Sequence, residues 1–263
     1  MTLSDYRTAL VTGASSGIGA VIVERLCAAG LTVHALARSG DRLAELSSRT
    51  GCIPHQVDVT DTAALNRTLE GLPIDVLVNN AGVSRTGNIL TADEHAIDEQ
   101  VAVNIQAVLH LVRLVMPGMV ERDRGHIINV SSIAGIYNFG GNTIYHATKA
   151  ALHMLSRQLR IDGYGRMIRV TEICPGRVET EIYGRLLGDM EEAQRQFYDG
   201  YESLSTHDIA DAVDYVLRCE RHVNVSHIEI LPTLQVPGGL NFERREPAPA
   251  PHYSDISVTS ALS

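Results

Sequence analysis

The chain has 263 residues, of which 44% are hydrophobic and 20% are charged. These proportions are typical of a folded globular protein and exclude disorder over most of the length. A chain of this size buries about three quarters of its unfolded surface, so it needs neither a disulfide framework nor a structural metal. Acidic residues outnumber basic ones by 31 to 22, and the net charge of -9 argues against nucleic acids and anionic membranes as partners.

The cysteines and the N-terminal segment indicate the compartment. The four cysteines are far apart and form no C-x-x-C pair, which favours free thiols in a reducing environment. Residues 1–7 are polar and lack the apolar core of a signal peptide. The longest charge-free stretch, 125–148, is interrupted by Gly, Ser, Asn and His and does not predict a membrane span. The sequence therefore predicts a cytoplasmic protein.

Short runs rich in β-branched residues alternate with longer helical patterns along the chain. The predicted strands are 8–12, 32–36, 53–57, 74–78, 126–130, 169–173 and 227–231. The predicted helices are 17–29, 41–49, 61–70, 92–115, 145–161 and 207–218, with Thr60 and Thr206 as N-caps for two of them. This alternation predicts an α/β fold: a single doubly wound parallel sheet flanked by helices on both faces.

The domain organisation follows from where the alternation ends. Residues 1–245 are predicted to form a single dinucleotide-binding catalytic domain. Residues 246–263 form a Pro/Ser-rich C-terminal tail, whose composition cannot fill a core. The tail is either a loose extension or a segment that packs across a neighbouring subunit.

A glycine-rich turn follows the first predicted strand, where residues 12–19 read T-G-A-S-S-G-I-G. Glycines allow a tight turn and close approach of a ligand, and the amides at the start of the next helix carry partial positive charge. The position between a strand and an amphipathic helix predicts a diphosphate site. Its predicted contacts are Gly13, Ser15, Ser16, Gly17, Ile18 and Gly19.

Polar residues after three further strands extend this predicted cofactor site. Asp58 follows the third strand, where it is either an adenine acceptor or a turn residue. Asn79-Asn80-Ala81-Gly82 follows the fourth, at the edge where α/β sheets bind ligands. Arg38 follows the second strand with no acid at 36–40, which favours the 2′-phosphate of NADP over the 2′-hydroxyl of NAD.

Three residues in the middle of the chain form a predicted reactive group. Tyr145 and Lys149 are four residues apart on a predicted helix and therefore share one face. A free tyrosine has a pKa of about 10, and a nearby cation favours its phenolate. Ser132 follows the fifth strand and is placed to hydrogen-bond a substrate oxygen. The set predicts proton transfer to or from a carbonyl or alcohol.

These motifs together resemble the short-chain dehydrogenases/reductases over residues 7 to about 245. The resemblance rests on the glycine turn, Asp58-Val59, Asn79-Asn80-Ala81-Gly82, Asn104, Ser132, Tyr145-x-x-x-Lys149 and Pro175-Gly176. It implies a Rossmann-like fold with Tyr145 as the acid/base and Ser132 positioning the carbonyl. It also implies that Lys149 binds the nicotinamide ribose, that Asn104 holds a water in a proton relay, and that related chains form homotetramers through helices 92–115 and 145–161. The remaining cofactor contacts implied are Val59, Asn80, Ala81, Gly82, Pro175, Gly176, Val178 and Thr180.

A narrower resemblance concerns the substrate. Residues 140–149 and 222–241 are similar to those of the NADP-dependent 3-hydroxy acid dehydrogenases, which act on serine and related short 3-hydroxy acids. This implies NADP (NADPH) as cofactor and a small, polar, acidic substrate, as for 3-hydroxy acid dehydrogenases or sulfoacetaldehyde-type reductases. A 3-oxoacyl or ketosteroid-type reductase is the alternative enzyme, and a non-catalytic NADP-sensing protein is the alternative of another class.

Arginines after the sixth strand are hypothetical partners for a substrate carboxylate or sulfonate, because a guanidinium forms paired hydrogen bonds with such groups. The alternative is an exposed arginine that pairs with Glu179 or Glu181. The tentative substrate set is Ser132, Tyr137, Asn142, Arg177, Tyr183 and Arg185, with Phe139 as a further pocket wall. No metal site is predicted from the eleven histidines, since none forms an H-E-x-x-H motif or joins a cysteine cluster.

Overall fold

The structure, a computed structural model, describes residues 5–236 except for the side chains at positions 185 and 186. It contains seven strands: β1 (Thr8–Thr12), β2 (Thr32–Ala37), β3 (Ile53–Gln56), β4 (Val76–Asn79), β5 (Gly125–Val130), β6 (Ile168–Pro175) and β7 (His227–Ile230). All neighbouring pairs are parallel, in the order β3-β2-β1-β4-β5-β6-β7. The predicted fold class is therefore confirmed. The tail 246–263 and the predicted domain end at 245 lie outside the described residues.

The helices are α1 (Gly17–Ala28), α2 (Gly40–Thr50), α3 (Thr62–Leu69), α4 (Glu94–Val101), α5 (Ala107–Glu121), α6 (Thr143–Asp162), α7 (Ile182–Leu187), α8 (Met190–Ala193) and α9 (Thr206–Arg218). Two π-helical segments, Ala102–Gln106 and Gln194–Tyr198, follow α4 and α8, and a short 3-10 turn spans Ile133–Gly135. No helix was predicted over 182–198, where the chain forms α7, α8 and a π-helical segment.

The core consists of two hydrophobic clusters, one on each face of the sheet. In β1, Ala9 and Val11 belong to the cluster covered by α1 and α9, whereas Leu10 belongs to the cluster covered by α3, α5 and α6. Successive strand residues point to opposite faces, so both faces of a central strand need apolar residues. This explains why the central strands β1 and β4 are mostly apolar and buried, whereas the edge strand β3 is partly polar and mostly exposed. The sheet is fixed between the two helical layers, which leave the carboxyl ends of its strands accessible.

Both predicted N-caps are wrong by one residue. Asp61 caps α3 by accepting a hydrogen bond from the Ala64 amide at 2.9 Å, and Thr60 binds Asp58 instead. Ser205 caps α9 in a capping box with Asp208. In both cases the cap is the residue whose side-chain oxygen accepts from the amide three positions later.

Among the described residues, the continuous helix Glu94–Glu121 has the length and apolar composition of a membrane span. Within its most apolar window, 44% is buried inside the protein, and core helices of globular proteins pass the same test of length and composition. Its buried side chains, including Leu111 and Met119, belong to the core cluster under α5. The helix is thus part of the helical layer that packs on one face of the sheet.

Candidate active site

The glycine-rich turn joins β1 to α1 and is shaped by three glycines. Gly13 and Gly17 have φ values of +65° and +55°, a left-handed conformation that disfavours other residues. A Cβ at Gly19 would collide with the carbonyl oxygen of Gly13. The turn is therefore compact, and the N-terminus of α1 opens toward the carboxyl edge of the sheet, where partial positive charge attracts anions.

Thr12 ties the ends of β1 and β4 together beneath this turn. Its hydroxyl accepts hydrogen bonds from the amides of Asn80 and Ala81, each at 3.1 Å, and donates to the Val78 carbonyl at 3.3 Å. The Asn80 side-chain amide donates to the carbonyls of Thr12 and Gly13 at 3.0 and 3.3 Å. Sequence reasoning gave Thr12 no role, although its place in the turn motif was a usable signal.

A cleft of about 590 Å³ opens above β1 and β4, where the strand order reverses. This is the position at which open α/β sheets bind ligands. Twelve predicted cofactor residues line it: Gly13, Ser15, Ser16, Gly17, Ile18, Arg38, Asp58, Val59, Asn80, Ala81, Gly82 and Thr180. Gly19 lies behind the turn and lines no described cleft.

The far end of the cleft carries two arginines. Arg38 is largely exposed, and its guanidinium lies 3.9 Å from Asp58. Asp58 also lines the cleft. Its Oδ1 accepts hydrogen bonds from the amide and hydroxyl of Thr60, which stabilise the turn after β3. Arg42 forms an ion pair with Glu181 at 2.8 Å, which joins α2 to the start of α7 across the cleft. Glu181 thus pairs with Arg42.

A second cavity of about 140 Å³ adjoins the cleft and shares Ile18, Ser84, Thr180 and Ile182 with it. Its walls bring together most of the predicted reactive and substrate residues: Ser132, Phe139, Asn142, Tyr145, Pro175, Gly176, Arg177, Val178 and Tyr183. The two cavities adjoin. We call the smaller one the reaction pocket and the larger one the cofactor cleft.

Tyr145 and Lys149 meet beside the reaction pocket as their spacing on α6 predicts. The Lys149 ammonium lies 5.6 Å from the centre of the Tyr145 ring and donates to the Val130 carbonyl at 3.1 Å. Ser132 lies at the end of β5, where its hydroxyl accepts from the Ala134 amide at 3.1 Å. Gly135 lets this turn pack closely on α6, because a Cβ there would meet the Lys149 carbonyl. The three predicted reactive residues are thus held by two adjoining elements, the turn after β5 and α6.

Burial dominates the electrostatics of this group. It raises the pKa of Tyr145 to about 12, although the Ser132 hydroxyl opposes the rise. Burial likewise lowers the pKa of Lys149 to about 8, opposed by Cys174 and Glu172. The expectation that Lys149 lowers the pKa of Tyr145 below its ordinary value is therefore not met in the chain alone. The tyrosine is a protonated donor at neutral pH.

Asn104 lies in the first π-helical segment, between α4 and α5. Its side chain accepts from the Val83 amide and donates to the Val83 carbonyl, both at 2.9 Å, and also donates to the Thr148 hydroxyl at 3.1 Å. Thr148 in turn donates to the Tyr145 carbonyl. Asn104 thereby connects the strand-end loop after β4 to α6 next to Lys149. Single π-helical turns are frequent at functional sites.

The tentative substrate residues divide into two groups. Asn142, Arg177 and Tyr183 line the reaction pocket with Ser132. Tyr137 does not line it, and its hydroxyl donates to Glu229 on β7 at 3.2 Å. Arg185 belongs to α7, and its side chain lies outside the described part of the chain.

Arg177 is buried, with 8% of its surface exposed, which excludes the alternative of an exposed arginine. Its guanidinium donates to the Phe197 carbonyl at 2.8 Å and lies over the rings of Tyr201, Phe197 and Tyr183 at 5.1 to 6.0 Å. Tyr183 and Phe197 stack with centroids 4.3 Å apart. Among the described residues that line the reaction pocket, Arg177 is the single one with a formal charge.

Gln235 is a pocket residue that sequence reasoning missed. Its side-chain oxygen accepts from the Arg177 amide at 2.8 Å, and it lines the reaction pocket from beyond β7. Gly176 permits this contact, since a Cβ there would overlap the glutamine oxygen. No local motif marks Gln235, because the contact spans 58 residues of sequence.

Comparison with known proteins agrees with this architecture. The family model described as short chain dehydrogenase matches residues 7–190. An uncharacterised short-chain type dehydrogenase/reductase of Sinorhizobium fredii is 40% identical over 243 residues, covering 92% of this chain and 98% of the relative. The NADP-dependent 3-hydroxy acid dehydrogenase YdfG of Salmonella typhi is 38% identical over 247 residues, covering 89% of this chain and 98% of the relative.

A solved structure extends the likeness to three dimensions. The closed form of a serine dehydrogenase complexed with NADP+ superposes with a TM-score of 0.85 at 36% identity, covering 90% of this chain and 100% of that one. A serine dehydrogenase from Escherichia coli gives a TM-score of 0.76 at 34% identity, covering 87% and 99%. These matches span the glycine turn, the cleft and the reactive group, and the chain therefore belongs to the short-chain dehydrogenase family of oxidoreductases.

Proposed function

We propose that the protein is an NADP-dependent oxidoreductase that interconverts a small, polar, acidic hydroxy compound with its aldehyde or ketone. A 3-hydroxy acid dehydrogenase and a sulfoacetaldehyde-type reductase are enzymes of this type. The observation that carries the proposal is the composition of the reaction pocket. It places Tyr145, Ser132 and the buried cation Arg177 around about 140 Å³. A pocket of this size and charge suits a small anion better than an acyl chain or a sterol.

The cofactor cleft fits NADP in volume and in charge. Its volume of about 590 Å³ lies within the range of about 300–1,000 Å³ found for ligand pockets. Gly13 and Gly17 allow close approach of a diphosphate to the N-terminus of α1, and Arg38 supplies positive charge at the ribose end. The printed names of the relatives, which are NADP-dependent or complexed with NADP+, support the assignment.

The residues of the pocket divide the chemistry between them. Bound NADPH supplies a hydride for the carbonyl carbon. The Ser132 hydroxyl hydrogen-bonds the carbonyl oxygen, and the Tyr145 phenol gives that oxygen its proton. Lys149 holds positive charge beside the phenol and stabilises the phenolate that remains. Asn104 fixes the segment after β4 against α6, which keeps the tyrosine and lysine in place.

The substrate class is tested with a panel of carbonyl compounds and the purified full-length protein. We expect NADPH to be consumed with small aldehydes and 3-oxo acids that carry a carboxylate or sulfonate, and far less with 3-oxoacyl thioesters or ketosteroids. The measurement is kcat/KM from the fall in NADPH absorbance. A preference for the thioesters or steroids contradicts the proposed substrate class. NADPH binding without consumption across the panel favours the sensing protein.

Cofactor preference is tested at the ribose end of the cleft. Replacing Arg38 with aspartate should lower kcat/KM for NADPH by about tenfold, because the 2′-phosphate loses a charge-assisted partner and meets a like charge. The value for NADH should change much less. Arg67→Asp, an equal charge change on exposed α3 away from the cleft, is the matched control. A wild-type preference for NADH contradicts the NADP assignment.

Two further expectations stay predictions. The cytoplasmic location is supported by the four cysteines, which form no disulfide. The homotetramer rests on resemblance, and it is supported by exposed apolar side chains on the two helices concerned. These are Leu109 on α5 and Met154 and Ile161 on α6, with 46%, 59% and 67% of their surface exposed. Burial of such side chains stabilises association.

A further inference from the structure

Three residues with metal-binding side chains meet on the α6 side of the sheet. They are His153 on α6, Glu172 on β6 and His227 on β7. One ligand atom of each lies within 4.8 Å of the others, and none of the three lines the reaction pocket or the cofactor cleft. The function proposed above does not use this group, which we call the His-Glu-His cluster.

The topology places the cluster where three elements pack. Glu172 and His227 are register partners on neighbouring parallel strands, so their side chains share one face. His153 lies one helical turn after Lys149 and faces the same strands from α6. Since the three residues come from separate elements, spacing in the sequence could not reveal them. This is why the sequence predicted no metal site.

The carboxylate at the centre of the cluster is buried. The Glu172 side chain is 2% exposed, and its Oε2 lies 2.5 Å from Nδ1 of His153 and 3.3 Å from Nδ1 of His227. Its other oxygen, Oε1, is buried, and no described group makes a hydrogen bond of normal geometry to it. A buried carboxylate oxygen without such a partner is costly in a folded protein.

We propose that the His-Glu-His cluster is a zinc site, with Nδ1 of His153, Nδ1 of His227 and the Glu172 carboxylate as its protein ligands. Two imidazoles and one carboxylate are a ligand set that Zn²⁺ uses, with a fourth position open to water. Water can reach the cluster, because the His227 side chain is 35% exposed and the His153 side chain 23%.

Two of the three distances between ligand atoms are close to those of such a site, and the third is below 4.8 Å. Zinc bonds to nitrogen and oxygen are about 2.0–2.2 Å, so two tetrahedral ligand atoms lie roughly 3.3–3.5 Å apart. The His227–Glu172 distance of 3.3 Å already matches. The His153–Glu172 pair at 2.5 Å must open by about 0.8 Å, which a partly exposed ring allows. The orphaned Oε1 then gains either the ion or a water bound to it.

Zinc binding is measured on the full-length protein after removal of metals with a chelator. The protein is titrated with Zn²⁺ against a chromogenic chelator, and we expect one tight Zn²⁺ per chain. His153→Gln and His227→Asn should each weaken binding at least tenfold, because each removes one of three ligands. His222→Asn, which alters an exposed histidine five residues before His227, is the matched control and should bind as the wild type does.

Thermal unfolding gives a second readout. A ligand that binds only the folded state raises the midpoint of unfolding, so Zn²⁺ should raise it equally for the wild type and for His222→Asn and less, at the same concentration, for His227→Asn. The His227 side chain is partly exposed, so this variant is expected to fold. No tight Zn²⁺ in the wild type, or binding that survives both His153→Gln and His227→Asn, overturns the proposal. The cluster is then a hydrogen-bonded network without a metal.

Discussion

Replacing Tyr145 with phenylalanine should lower kcat for carbonyl reduction by about 100- to 10,000-fold, the usual contribution of a general acid. The variant keeps the ring and loses the phenolic hydroxyl that we propose gives its proton to the carbonyl oxygen. Burial holds the pKa of Tyr145 at about 12, so the wild-type phenol is protonated near neutral pH and ready to donate. Steady-state turnover of NADPH with the best substrate of the panel measures the effect.

The controls for this variant separate chemistry from structure. The Tyr145 ring lines the reaction pocket with the Lys149 ammonium 5.6 Å from its centre, and a phenylalanine ring fills the same space. We therefore expect the affinity for NADPH, measured by fluorescence titration, and the midpoint of thermal unfolding to stay close to the wild-type values. Turnover within tenfold of the wild type contradicts the acid/base role of Tyr145. If NADPH affinity falls by the same factor as turnover, the substitution has damaged the cofactor cleft and not the proton transfer.

The position of Lys149 explains how a phenol with a raised pKa can still give up its proton. The ammonium lies over the tyrosine ring at 5.6 Å and is itself destabilised by burial, which lowers its pKa to about 8. Once the phenol has given up its proton, the resulting phenolate and the ammonium are opposite charges in a dry environment. Their attraction is much stronger there than in water. Lys149 therefore stabilises the reaction mainly once negative charge develops on the Tyr145 oxygen.

The sheet and the reactive group were predictable because their signals are local. Strands such as 8–12 are apolar on both faces, and β1 has the predicted bounds, Thr8–Thr12. Tyr145 and Lys149 share a helix, so their spacing fixed their proximity. The glycine turn carries its backbone requirement in its own residues, as the left-handed Gly13 and Gly17 show. Each of these features depends on a few neighbouring residues.

Features set by tertiary contacts were not predictable in this way. The helix predicted to end at 115 continues to Glu121 through Pro117, because Met116 and Met119 are buried on either side of the proline. The segment 182–198 folds into short helices that pack around Arg177 and the ring of Tyr183, with little periodic pattern of their own. Tyr137 looked like a pocket wall by position, yet its hydroxyl binds Glu229, 92 residues away.

The buried arginine of the reaction pocket should decide which substrates the enzyme accepts. Replacing Arg177 with glutamine should lower kcat/KM for substrates with a carboxylate or sulfonate by about 10- to 100-fold, the effect of losing a charge-assisted hydrogen bond of about 1.5–3 kcal/mol. Neutral analogues of the same size should lose much less. The net charge of -9 repels anions at long range, so a cation inside the pocket is needed to hold them.

The ratio between acidic and neutral substrates makes this test independent of damage to the loop. Arg177 also donates to the Phe197 carbonyl, and loosening that contact would lower kcat/KM for both kinds of substrate alike. Arg195→Gln, an exposed arginine two residues before Phe197 that pairs with Glu192, is the matched control and should leave the ratio unchanged. Equal losses for acidic and neutral substrates in Arg177→Gln would show that the guanidinium shapes the loop, and the charge-recognition role would be abandoned.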